Sequence, residues 1–312
     1  MCWSIYIYWS VYVILKNYFN HESVTVKLLI LYLYEIMKFY LFIFSFIIVF
    51  ISGQGIISPN FSIKTSPYEV TNYGTSSYNI YYKVNFLDNA LFPSSKKEVM
   101  CILELGDHVS KFLDYNQLKK DSLSEKYSKQ DMIGSKEMGE FMKIRVLWNN
   151  IIFKNNNIMT VQERFKSIYQ YEEDQPKLNW NLEKGEKILL GHECNKATVS
   201  YRGRNYIAWY TTGIPINNGP YIFGGLPGLI LEVEDTDKKY TFEAVGITKT
   251  PKLIYLRNEK SILRTTREKF RNVQRTYKEN PNAFYTGKAY NEDGTPIVLK
   301  QQNIQYEPME IE

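Results

Sequence analysis

The chain has 312 residues, of which 44% are hydrophobic, 15% aromatic and 23% charged, a globular composition that excludes wholesale disorder. Lys and Arg total 38 and Asp and Glu 33, so the formal charge is +5, too small for a protein held to nucleic acid by phosphate contacts. That charge is unevenly spread: residues 1–53 contain no Arg and no Asp, and only Lys16, Lys27, Lys38, Glu22 and Glu35 interrupt an apolar, Tyr-rich segment.

Within this front, Met37-Lys38 opens a short basic start, Phe39–Ile51 is an apolar core, and Ser52-Gly53-Gln54 supplies small residues at its end. These three parts in this order predict a secretory signal peptide at 37–53, cut between Gly53 and Gln54. The apolar run is shorter than the roughly 20 residues a spanning helix needs, which weighs against a retained membrane anchor. Residues 1–36 are then an apolar extension upstream of a start at Met37, the alternative being an anchor or helical hairpin. Residues 54–312 form a single domain in this reading.

Residues 54–77, rich in Gly, Ser, Pro, Thr and Asn, read as an extended lead-in. Tyr78–Leu87 alternates as a strand, Asp88–Lys97 turns, and Glu98–Leu105 and His108–Tyr115 make an antiparallel hairpin about Gly106-Asp107. Asn116–Asp131 is polar with sparse leucines, a short surface helix. Phe141–Lys154 reads as a strand or strand pair, and Met159–Tyr171 and Pro176–Leu190 as further strand-like segments. Cys194–Tyr201, Arg202-Gly203-Arg204-Asn205 and Tyr206–Thr211 form a hairpin, in whose second strand Tyr206, Ala208 and Tyr210 share one face and Ile207 and Trp209 the other. Leu229–Glu234 and Lys239–Ile247 are strands about a turn at Asp235–Lys238. An amphipathic helix runs from Ser261 to Lys278, ended by Asn280-Pro281, and the polar tail frays over Glu307–Glu312. The sum is an α+β fold: a mainly antiparallel sheet, half-barrel in the manner of lipoprotein carriers, with the C-terminal helix packed on it.

Gly191 to Asp235 is the densest stretch of signals: Lys196-Ala197-Thr198, Ala208-Trp209-Tyr210-Thr211, Gly219-Pro220, and then Gly225-Leu226-Pro227-Gly228-Leu229-Ile230. This run resembles the GLPGLI family of exported bacterial proteins, and the hairpin Glu104–Asp114 is similar to the family's upstream part. The resemblance implies an envelope protein made with a signal peptide, periplasmic or associated with the outer membrane, and supplies no reaction.

Chemically, Gly225 and Gly228 permit backbone conformations or approaches closed to other residues, and Pro227 stiffens the turn. The run is then either a buried register-setting turn or a rigid loop lining a ligand groove, with Trp209, Tyr210, Tyr221, Phe223 and Leu226 as its wall. Arg202 and Arg204 flank a turn as solvated charge or as a small-anion or partner contact. The basic side chains Arg264, Arg267, Lys269, Arg271, Arg275 and Lys278 form a solvated helix face or meet anionic lipid heads. Cys101 and Cys194 either pair as a disulfide, which an exported protein permits, or stay buried thiols. His192-Glu193 lacks the second His of a zinc motif, since Lys196 stands there, and Glu232, Glu234, Asp235 and Asp237 form a polar turn rather than a calcium loop. No nucleophile elbow, phosphate loop or dinucleotide fingerprint is present, so no metal or cofactor is expected. The expectation is a non-enzymatic protein that binds a lipid, a peptide or an envelope partner, with an enzyme using scattered acids and His108 or His192, or a structural outer-membrane subunit, as rivals.

Overall fold

A computed structural model describes residues 61–87, 95–280 and 309–310, so the expected extension, signal peptide and cleavage point lie outside the described residues. The chain divides into two compact units, 1–59 and 60–312, and the described residues all belong to the second. No helix among the described residues is long and apolar enough to cross a membrane.

Two short strands, β1 (Ser62–Lys64) and β2 (Val70–Thr75), form the lead-in. A meander comes next: β3 (Tyr78–Leu87), β4 (Lys96–Leu105) and β5 (Val109–Asp114), whose alternation buries Ile80, Tyr82, Val84, Cys101, Leu103 and Phe112. Helix α1 (Tyr115–Tyr127) begins where Asp114 accepts a hydrogen bond from the Asn116 N–H at 2.8 Å. A third short strand, β6 (Met132–Gly134), pairs with β1. Helix α2 (Ser135–Lys143) then starts with Glu137 accepting from the Gly134 N–H at 2.9 Å.

The meander resumes with β7 (Asn150–Asn155), β8 (Ile158–Phe165) and β9 (Ser167–Asp174), and continues through β10 (Asn181–Leu189), β11 (His192–Tyr201), β12 (Arg204–Thr211), β13 (Leu229–Asp235) and β14 (Tyr240–Thr248). Strand β15 (Leu253–Arg257) pairs with β2, and β16 (Leu263–Arg264) precedes helix α3 (Arg267–Glu279). Twelve strands make one sheet in the order β10-β11-β12-β13-β14-β3-β4-β5-β7-β8-β9-β16. Every neighbour pair in it is antiparallel except β16 with β9. The sheet curves as a half-barrel and does not close, giving the expected α+β architecture.

Two expectations are corrected. Phe141 lies in α2 rather than in a strand, and the strand of that region starts only at Asn150. Met138, Phe141 and Met142 recur at helical spacing, and the Phe141 ring meets Tyr127 of α1 at 5.9 Å. The C-terminal helix starts at Arg267, not Ser261, because the preceding backbone is taken up by the sheet edge. Leu263 and Arg264 pair with Tyr169 and Gln170, the Thr265 N–H donates to the Gln170 carbonyl, and the Thr266 hydroxyl then caps the helix. Helix α3 does pack on the sheet: Phe270 is fully buried against Tyr169 and Tyr171. Of the two alternatives for the cysteines, the buried thiols hold. Cys101 and Cys194 are free, buried thiols on β4 and β11, with β12, β13, β14 and β3 between them, so no disulfide joins them. Burial raises the pKa of each thiol.

The concave interior is filled by the chain itself. Between β12 and β13, the loop 212–228 buries Gly219 to Phe223, and Tyr221 meets Trp148 and Phe242 at centroid distances of 5.7 and 6.4 Å while Phe223 meets Phe242 at 6.1 Å. The turn ending this plug depends on two glycines for different reasons. Gly225 sits at φ +92°, which L side chains adopt only with strain, although space for a Cβ exists. A Cβ on Gly228 would lie 2.1 Å from the Thr211 carbonyl oxygen. Gly228→Ala is therefore expected to lose about 3 kcal/mol or more of folding stability, and Gly225→Ala about 1–2 kcal/mol. Urea denaturation of the two variants measures this; equal costs would contradict the assignment.

Candidate functional site

The residues expected to line a groove separate. Tyr206, Ala208 and Tyr210 point into the core, and Trp209 occupies the other face of β12, as the alternation required. Trp209 stands beside Lys187 at 5.6 Å and against Gly185. Tyr221, Phe223, Leu226, Leu229 and Ile230 are buried. The aromatic wall is thus divided between the core and the opposite face, and the hexapeptide is a turn whose Leu226, Gly228, Leu229 and Ile230 are buried while Gly225 and Pro227 are exposed. Trp209 and Tyr210 are also where the register with β13 shifts, which lets Leu229, Ile230 and Leu231 be buried in succession.

The buried loop would leave main-chain groups unpaired without partners, and the sheet supplies them. The Tyr82 hydroxyl donates to the Ile230 carbonyl at 2.6 Å and the Trp180 indole to the Gly224 carbonyl at 2.8 Å. Lys154 on β7 donates to the Phe223 carbonyl at 2.9 Å and to the Asn218 side chain at 3.3 Å. Asn218 in turn donates to Ser110 at 2.9 Å, and its carbonyl accepts from the Ile230 N–H. Lys154 has no carboxylate partner among the described residues, and burial lowers its pKa to about 7.

Arg202 and Arg204 are not solvated turn charges. Arg204 is buried and pairs with Asp235 at 3.3 Å, while Arg202 grips Glu173 at 2.9 Å and Glu310 at 2.7 Å. Nor does the C-terminal end fray at Met309 and Glu310, both of which are buried. The basic helix face splits: Arg267 and Arg271 turn inward to Glu310, while Lys269 and Arg275 remain exposed. Glu232, Asp235 and Asp237 engage Lys187, Arg204 and Lys239 separately. His108 and His192 lie on separate hairpin turns. No group of acids, histidines and cysteines with metal-holding geometry occurs among the described residues.

An open site lies elsewhere. Strand β1 with the residues after it, helices α1 and α2, and the end of β8 surround a cleft of about 660 Å³. Its apolar lining includes Ile133, Met138, Phe141, Met142 and Ile168. Met142, a flexible apolar side chain, is 64% exposed at the edge of this lining. Lys120, Arg164 and Arg257 line the same cleft. Arg257 is neutralised by Asp121 at 2.9 Å and by Glu259. Lys120 and Arg164 form no ion pair among the described residues, although the charge of Asp121 acts on both. Partial burial, then the charge of Arg164, lowers the Lys120 pKa; desolvation, then Arg257, lowers that of Arg164. None of the cleft residues stands out as a site in the sequence, where the helix carrying Met138 and Met142 goes unrecognised.

Residues 135–232, from α2 into β13, match the model of a family described as a protein of unknown function, Porph_ging. No curated protein matches. Nine chains among solved structures do. Two are structures of PNGF-II in different space groups, at 15% and 16% identity and TM-scores of 0.41 and 0.42. The match covers 64% of this chain and 33% and 32% of those chains, so this chain spans about a third of their length. A likeness of this degree transfers no activity.

The buried amine has a consequence in solution. Lys154 keeps its proton only below about pH 7 in the folded protein, but up to 10.5 when unfolded. The unfolded state then binds more protons between these values, so stability rises with pH across that window. Lys154→Met is expected to reduce the slope of stability against pH between 7 and 10 by as much as one proton, about 1.4 kcal/mol per pH unit. Urea denaturation at stepped pH measures it, and an unchanged slope would mean that Lys154 is not the titrating group.

Proposed function

We propose that the protein is a non-enzymatic carrier or receptor for an apolar molecule with an anionic head, a long-chain carboxylate being the simplest case, bound in the cleft between α1, α2 and β1. The observation that carries this reading is the pair of cations, Lys120 and Arg164, that form no ion pair among the described residues beside an apolar lining that ends in exposed Met142. An acyl chain covers the methionines and its carboxylate neutralises the cations, since a charge at the edge of an apolar cleft gains from a partner what it loses in hydration. Flexible methionines accommodate chains of varied shape. A lipid-like ligand suits this lining better than the peptide or envelope-protein partner that the sequence also allows.

We place the protein outside the cytoplasm, in the periplasm or at the outer membrane, and among GLPGLI-type proteins. Export is supported by the order of basic, apolar and small residues over 37–53, and kinship by the hexapeptide at 225–230 inside the matched stretch. N-terminal sequencing of the mature protein is expected to begin at Gln54; recovery of residues from 1–53 would remove the export argument.

The binding function is tested by titrating the full chain with a fluorescent long-chain carboxylate and with its methyl ester. Saturable binding of the acid is expected, weaker for the ester, and reduced about tenfold by Arg164→Glu and by Lys120→Glu. No saturable binding, or equal binding by the variants, would overturn the reading.

A further inference from the structure

A second polar site lies away from the cleft, where three separate parts of the fold converge on Met309 and Glu310. From the turn between β11 and β12, Arg202 reaches Oε2 of Glu310 at 2.7 Å. From α3, Arg267 and Arg271 reach the same oxygen at 2.7 and 3.1 Å. From the inward-folded loop, the Tyr221 hydroxyl donates to Oε1 at 3.0 Å. The main chain is read as well: Arg204 Nε and the Tyr206 hydroxyl both donate to the Met309 carbonyl at 3.1 Å. The Met309 side chain belongs to the hydrophobic core cluster and is 7% exposed.

These contacts go beyond simple charge neutralisation. Burial would raise the Glu310 pKa, but Arg202, Arg271 and Arg267 outweigh it and hold the carboxyl below its ordinary value. Glu173 shares Arg202, and buried Glu163 faces Arg271 from β8 without touching Glu310. A carboxylate, a main-chain carbonyl and an apolar side chain are therefore recognised together, the three features by which a peptide segment is told from a free anion.

We propose that the pocket formed by Arg202, Arg204, Arg267, Arg271, Tyr206 and Tyr221 is a peptide-binding site that reads an apolar residue followed by Glu, with the chain's own Met309-Glu310 as its displaceable resident. An attached segment competes at high effective concentration, so a free peptide meets an occupied site in the native chain and an open one once the resident is disabled.

The probe is a fluorescent peptide with the sequence of residues 305–312, acetylated and amidated so that its only carboxylates are side chains. Full-length Met309→Ala/Glu310→Ala is expected to bind it about tenfold more tightly than the native chain. Substituting Gln for the peptide's Glu corresponding to Glu310 should weaken that binding about tenfold, and adding Arg271→Met to the protein should weaken it comparably. Glu310→Gln, which keeps side-chain volume, serves as the host if the double variant does not unfold cooperatively, and should also bind more tightly than the native chain. Equal binding by native and resident-disabled chains, or indifference to the Gln peptide, would overturn the proposal.

Discussion

The structure depends on how a loop can lie inside a curved sheet without leaving its peptide groups unpaired. Residues 212–228 carry Tyr221, Phe223 and Leu226 into the concave interior, and with them the carbonyls of Phe223 and Gly224. A buried carbonyl without a donor costs about 1–3 kcal/mol. Lys154, Trp180 and Tyr82 reach inward from β7, from the residue preceding β10, and from β3 to meet that demand. A lysine in this role carries its own desolvation cost, visible in its lowered pKa. The close approach of Gly228 to Thr211 is the steric counterpart of the same constraint: the chain must enter β13 with no room for a side chain.

This constraint assigns the aromatic residues to the fold. Tyr221 stacks on Phe242 and meets Trp148 edge-on, Phe223 meets Phe242 edge-on, and together they substitute for the second layer that an open sheet otherwise needs. They are unavailable as the wall of a groove for the same reason that they are effective as core. Exposed apolar side chains lie elsewhere, among them Met142 on α2 and Ile63 on β1.

Local periodicity carried much of the fold. Tyr78–Leu87 and the hairpin about Arg202-Gly203 were legible because strict alternation against one buried face leaves a single register. The N-terminal boundary of α3 was not, because Leu263 and Arg264 have helical neighbours in sequence but a sheet edge in space. Helix α2 was hidden because Phe141 and the residues up to Lys154 contain both a helix end and a strand, and apolar residues at mixed spacing fit either. The charged sites were less legible still. Lys154 is one lysine after three apolar residues, and Glu310 one acid in a polar tail; their partners come from distant segments that only topology brings together.

The two charged regions differ in the one respect that matters for recruiting a ligand. Around Glu310, Arg202, Arg267 and Arg271 face Glu163, Glu173 and Glu310, and the positive charge is largely answered from within the chain. In the cleft, Asp121 and Glu259 pair directly with Arg257, while Lys120 and Arg164, which Asp121 reaches only through its charge, form no ion pair among the described residues and stand beside apolar side chains. Electrostatic free energy is gained where a cation is poorly solvated and unpaired, so an added anion gains more in the cleft than at the tail. At the tail a ligand must displace an anion already in place, and it succeeds only by matching the main-chain and apolar contacts as well. Charge imbalance therefore favours a molecule defined by its head and its apolar chain in the cleft. Charge balance at the tail favours a segment defined by its sequence.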